Sequence, residues 1–171
     1  EKKLSARHLC AGGLVLYDLS SSYFEGLTCP LAKLGHSRDG KKNKLQVNYG
    51  LLTDARGCPV AVSVYEGNTA DSKTLLPQAR RLSSEFGIDT MVIVGDRGMI
   101  SQKAITELRE TSALHWITAL KSVQIRALLE GGALQLGLFD ERNLFEFAHP
   151  EFPDERLVAC RNPALAELRA H

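Results

Sequence analysis

Several signatures that would place a chain in a class quickly are missing from this one. No apolar run approaches the roughly 20 residues that a membrane-spanning helix needs, so a membrane span is not expected. Four cysteines lie at positions 10, 29, 58 and 160 without a CxxC pair or a CxxC–HxxxH spacing, which disfavours a zinc module. Thiols scattered in this way fit structural cysteines in a reducing cytoplasm. The chain opens on Glu1-Lys2-Lys3-Leu4-Ser5 with neither an initiator Met nor an apolar stretch after the charges. No signal peptide is expected from this stretch, and it reads as an internal start. There is no internal repeat, and the net charge is only +1.

What is present is ordinary globular composition. The 171 residues are 44% hydrophobic and 24% charged, enough for a buried core at the size of one domain. The charge is unevenly distributed. Residues 1–50 hold eight Lys or Arg against four acids, and five of those eight fall between Lys33 and Lys44. A local basic segment on a balanced protein can contact phosphate.

Apolar runs and breakers predict the element order. Gly13 to Leu19 is short and apolar, as a buried strand is. A polar stretch from Ser20 to Lys44 reads as a long loop, broken by Gly26, Pro30, Gly35 and Gly40. Leu45 to Leu52 and Pro59 to Tyr65 flank a turn at Asp54-Ala55-Arg56-Gly57 and read as a hairpin. Leu75, Ala79, Leu82 and Phe86 make one apolar helical face, with Pro77 in the first turn and Gly87 as the stop. Met91 to Val94 is a second buried strand, and Ser101 caps a helix with Ala104, Ile105 and Leu108 inward. His115 to Leu120 is a third strand. Beyond Lys121 the rhythm changes, with a short helix from Val123 to Glu130, strands near 144–148 and 156–160, and a helix opened by Asn162-Pro163 that is still running at the end. A truncated helix is the expectation there.

Asp18 closes the first core strand and Asp96 closes the strand after the first long helix. A right-handed crossover can lay these strands side by side and parallel, and both carboxylates would then emerge at the edge where ligands collect in α/β sheets. Two close carboxylates need a proton or a cation between them, and all-oxygen ligation suits Mg²⁺ or Mn²⁺. An Asp at a strand end is equally an ordinary turn former or helix cap, and the residues alone leave both readings open. Arg97 can steer a phosphate or pair with a carboxylate. Asn68 and Asp71 can simply cap the helix that follows them. His36 and His115 have no partner pattern, and Trp116 is expected in the core.

Tyr17-Asp18-Leu19-Ser20, Gly67-Asn68-Thr69-Ala70-Asp71 and Val92-Ile93-Val94-Gly95-Asp96-Arg97-Gly98-Met99, in this order and spacing, resemble blocks of the DDE transposases of bacterial insertion sequences, within the insertion-sequence-four group. Tyr23-Phe24-Glu25, Gly35 to Lys42, Phe139-Asp140-Glu141-Arg142 and Cys160-Arg161-Asn162-Pro163 extend the likeness over nearly the whole chain. The resemblance implies an α/β, RNase H-like fold: a mixed five-stranded sheet of three antiparallel strands followed by αβαβ, with a β-rich insertion. The expected division is a catalytic core at residues 1–121 and, at 122–171, the insertion region with the start of a helix.

The same resemblance makes Asp18 and Asp96 the first two members of an Asp-Asp-Glu triad that binds divalent metal and is both catalytic and metal-ligating. The family's glutamate stands on a helix in a Tyr, Arg and Glu pattern. No such pattern occurs here, so neither Glu155 nor Glu167 is assigned and the third acid stays unknown. The implied activity is metal-dependent cleavage and strand transfer of DNA ends, with Mg²⁺ or Mn²⁺ as cofactor and incomplete without the third acid. An RNase H-like nuclease without joining activity, or an inactive DNA-binding remnant, are the alternatives. Lys33, Arg38, Lys41, Lys42, Lys44 and Arg97 are the expected DNA contacts. Transposon ends and target DNA are the implied partners, in a homodimeric synaptic complex in the bacterial cytoplasm at the nucleoid.

Overall fold

The structure is a computed structural model that describes residues 1–38, 40–41, 43–110 and 114–164. The chain divides into two compact units, Glu1–Ala119 and Leu120–His171.

The first unit opens with α1 (Lys2–His8), followed by β1 (Gly13–Phe24), the short β2 (Lys33–Leu34), β3 (Leu45–Asp54) and β4 (Pro59–Glu66). A 3-10 turn at Asp71–Lys73 leads into α2 (Leu75–Phe86), and β5 (Met91–Val94), α3 (Gln102–Glu110) and β6 (Leu114–Ile117) complete it. The sheet runs β2-β3-β1-β5-β6, with β4 also on β3. β2 pairs with Leu45 and Gln46, and β4 takes the same strand from Val47 onward. β3 is antiparallel to both β1 and β4. β5 and β6 are parallel to β1 because each returns through a helix.

The second half of this unit follows the predicted pattern closely. Leu75, Ala79 and Leu82 are buried on α2, and Gly87 ends the helix in the left-handed region at φ 66°. Ser101 Oγ accepts the Ala104 N–H at 3.3 Å, and Ala104, Ile105 and Leu108 are buried on α3. Both helices share one core with Val15, Tyr17, Leu19, Met91 and Ile93 from one face of the sheet. Trp116 packs against that core from a partly buried position, with the Arg109 guanidinium 5.8 Å from its ring.

The first half departs from the expectation in three respects. β1 does not end at Asp18: it continues to Phe24, paired with β3 along its whole length. Its serines are polar, as a loop's would be, but Ser21 is buried in register with the buried Asn48. The loop is therefore shorter, running from Glu25 to Lys44 and carrying a sixth strand, β2. α1 was not anticipated at all, since seven residues hold too little periodicity to signal a helix. It is tied down by Glu1, whose carboxylate accepts the Val62 N–H at 3.0 Å and pairs with Arg81. The Val62 N–H holds the Glu1 carboxyl below its ordinary pKa.

The second unit contains α4 (Ser122–Glu130), a 3-10 turn at Leu136–Leu138, and the antiparallel pair β7 (Leu144–Phe147) and β8 (Leu157–Cys160). Leu128, Phe152 and Leu157 form its own small core. The helix expected from Asn162, and Glu167 with it, lies outside the described residues beyond Ala164.

Candidate active site

The parallel register of β1 and β5 ends at Leu16 opposite Val94. Asp18 and Asp96 each follow two residues later, Asp18 still within β1 and Asp96 in the turn after β5. The side-chain alternation of a strand separates Asp18 from its neighbours Tyr17 and Leu19, which point into the helix-covered core. Asp18 is exposed on the opposite face, across from Leu51 of β3.

The two carboxylates are held by different local devices. Asp18 Oδ1 accepts the N–H of Leu19 at 2.9 Å, while its backbone remains in the β1–β3 ladder. Asp96 Oδ1 accepts the N–H groups of Gly98 and Met99, and its carbonyl accepts those of Met99 and Ile100. Asp96 therefore does form the turn that any strand-end Asp can form. In both residues Oδ1 is used locally, and among the described residues no donor meets Oδ2. The pair presents hard oxygen donors on exposed side chains, a donor set that fits Mg²⁺ or Mn²⁺ better than a softer ion.

The basic segment is more tightly anchored than its composition suggests. Gln46 is only 3% exposed, and its side-chain N–H₂ donates to the carbonyls of His36 (3.1 Å) and Gly67 (2.8 Å) and to Asn48 Oδ1 (3.2 Å). Asn48 in turn donates to the Thr69 carbonyl at 3.0 Å. Gly35 and Gly67 pack so closely that a Cβ on Gly35 would lie 2.0 Å from the Gly67 carbonyl. Two loops far apart in sequence are thus pinned to one strand end.

The expected DNA contacts fare unequally. Arg38 is committed to Asp71 at 2.6 Å, which also gives Asp71 a role other than helix capping. Lys44 lies 3.8 Å from Glu25, with both side chains largely solvated, so the pairing is weak. Lys41 Nζ sits 5.9 Å from the centre of the Tyr23 ring. Lys33 is exposed on β2. Lys42 lies outside the described residues, and Arg97 is exposed beside Asp96 with an interaction of its own.

Sequence reasoning missed Gln46 and Asn48, although the signal was there. In Leu45-Gln46-Val47-Asn48 the polar positions alternate as a strand requires, and the structure turns them inward. A buried amide must find partners, and here the partners are loop carbonyls. Also unforeseen was a cluster at the other end of the sheet, where His8, Asp54 and Cys58 bring their ligand atoms within 4.8 Å of one another.

A family model for the transposase DDE domain matches residues 25–146, which includes Asp96 and the basic segment and begins after Asp18. No curated protein matches the chain in sequence. Among solved structures it is similar to piggyBac transposase in a synaptic complex with hairpin DNA, at 15% identity and TM-score 0.50, over 91% of this chain and 36% of that one. Mos1 transposase in a paired-end complex with the left transposon end aligns at 12% identity and TM-score 0.41, over 67% of this chain and 38% of that one. A simian T-cell lymphotropic virus intasome, in complex with a PP2A regulatory subunit, aligns at 10% and 0.40, over 73% and 41%. The piggyBac alignment bears out the expected RNase H-like fold.

Proposed function

Because the chain belongs to the transposase DDE domain family, we propose that it forms the metal-binding core of an insertion-sequence transposase of the insertion-sequence-four group that cleaves and joins DNA ends. The observation that supports this reading is the parallel β1–β5 pairing, with Asp18 and Asp96 each two residues past its last pair. Their Oδ2 atoms would hold a divalent ion, Mg²⁺ or Mn²⁺, that relieves the repulsion between them. When bound, the metal activates the attacking water or hydroxyl and stabilises the leaving oxygen of the phosphodiester.

The protein's own contribution is placement. The Leu19, Gly98 and Met99 N–H groups fix one oxygen of each carboxylate and so orient the other. Arg97, next in sequence to Asp96, is suited to steer the phosphate. Lys33, Lys41 and Lys44 would contact the DNA backbone beyond the far end of β1. Phe24 lies six residues past Asp18, roughly 20 Å along a strand, or about six steps of one DNA strand at ~3.4 Å each. The basic segment would therefore grip the duplex about half a helical turn from the reacting phosphate.

No described glutamate is assigned as the third acid, and the 171-residue chain assayed by itself is expected not to catalyse strand transfer efficiently. The chain spans 36% of the piggyBac transposase it matches; terminal-repeat recognition, homodimeric synapsis and a place at the bacterial nucleoid are part of the same proposal.

The test is substitution in a protein that carries the whole triad. Asp18→Asn and Asp96→Asn should each reduce Mg²⁺-dependent cleavage by at least ~10²–10³-fold, the scale of several kcal/mol of metal-supplied stabilisation. Circular dichroism should show the fold retained. Wild-type cleavage in either variant would remove that residue from the site, and cleavage without joined product would favour a nuclease.

A further inference from the structure

We propose that His8, Asp54 and Cys58 form a second metal site, for a transition-metal dication of the zinc class, clamping α1 onto the β3–β4 turn. The three residues offer one imidazole nitrogen, one carboxylate oxygen and one sulfur, all within 4.8 Å of one another. That mixed N, O, S set is a zinc-type donor set and is unsuited to Mg²⁺. His8 Nδ1 and Asp54 Oδ2 are already 3.3 Å apart. Two ligands at ~2.0–2.1 Å from one tetrahedral ion stand about 3.3–3.4 Å apart, so this pair already has the spacing that such an ion requires. A water would complete the tetrahedron.

The turn does not by itself account for this arrangement. Asp54 Oδ1 closes it by accepting the N–H groups of Arg56 and Cys58, both at 2.9 Å. Oδ2 is surplus to that task, yet Asp54 is only 4% exposed and Oδ2 faces His8. A cation already occupies the spot: the Arg56 guanidinium lies 3.0 Å from Asp54 Oδ2 and 3.3 Å from His8 Nδ1. The second unit repeats the same turn at Asp140, where Oδ1 accepts the Arg142 and Leu144 N–H groups and Oδ2 pairs with Arg142. That copy is exposed and, among the described residues, is not part of a group of three potential metal ligands. What distinguishes the Asp54 turn is therefore the added pair of ligands, one of them from α1.

Binding would deprotonate the Cys58 thiol and release one proton to solvent. The thiolate and carboxylate then balance the two charges of the ion. Arg56, with its side chain 73% exposed, swings out into water as the ion enters.

Zn²⁺ titration of the purified chain by calorimetry, with Co²⁺ as an optical probe, tests this. One equivalent should bind, and the Co²⁺ form should show a thiolate-to-metal charge-transfer absorption in the near ultraviolet. Cys58→Ala should abolish that absorption. His8→Ala should weaken binding by about tenfold or more, since even outer-shell partners of a metal site are worth that much. Arg56→Ala, which removes the competing cation, should tighten binding. Absence of one-to-one binding in the wild type overturns the site. So does a charge-transfer band that persists in Cys58→Ala, because another thiol would then be the ligand.

Discussion

Asp54 shows how much a single side chain can be asked to do. Its carboxylate accepts two backbone N–H groups and faces an arginine and a histidine. The Cys58 N–H first, and then the Arg56 guanidinium, hold its pKa down from 3.8 to about 2. A carboxylate with a folded-state pKa below its unfolded value favours the fold above the unfolded value, and that contribution is lost as pH falls through the folded one. Stability should therefore drop between about pH 4 and pH 2, and Asp54→Asn should flatten that part of the curve while lowering stability at neutral pH. Urea midpoints measured across this range would check it; an unchanged slope in the variant would rule it out. Tyr17 is a second residue defined by its surroundings. Burial pushes its hydroxyl above the ordinary phenol pKa, and its ring fits only because residue 50 is glycine, where a Cβ would lie 2.2 Å from the phenolic oxygen.

At the level of elements, legibility followed the source of each element's stability. α2 and α3 were readable because an amphipathic face, a stop and a cap are all encoded within a dozen residues. Gly87 carries the stop for α2 at φ 66°. Gly87→Ala should cost about 1 kcal/mol through the left-handed backbone it must keep, whereas Gly87→Asn should cost less. Thermal or urea unfolding of the two variants would show the order, and equal losses would contradict it. β1 was misjudged for the opposite reason. Its last five residues, Ser20 to Phe24, open with three serines that carry no strand signal, and the segment is strand because β3 pairs with each of them. α1 likewise depends on the anchoring of Glu1 by Val62 and Arg81. Neither dependence can be seen in a local window.

For the molecule as a whole, the proposed role makes a quantitative demand on the basic segment. Each phosphate neutralised contributes about 0.9 to the slope of log affinity against log salt on duplex DNA. Replacing Lys33, Lys41 and Lys44 with Ala should therefore reduce that slope by up to ~2–3, with little effect on folding because all three side chains are exposed. Arg38→Ala is expected to act differently, because its guanidinium bonds Asp71 and joins the basic loop to the turn before α2. Fluorescence anisotropy over a range of salt would separate the two, and an unchanged slope in the triple variant would take the segment off the DNA.

Residue order alone was enough to indicate a strand, a long loop and a hairpin followed by αβαβ, because burial periodicity and turn chemistry are local properties that repeat within each element. It also singled out Asp18 and Asp96, through their positions after apolar runs and through the family blocks around them. The parallel pairing that leaves each of them two residues past the last β1–β5 pair was different. It depends on which strands become neighbours and in what register, and β1 and β5 are separated by more than sixty residues that leave no local trace of the pairing. The burial of Gln46 and Asn48, the Arg38–Asp71 link and the meeting of His8 with Asp54 and Cys58 were decided in the same way. Each joins residues distant in sequence, and only chain packing brings their partners within reach.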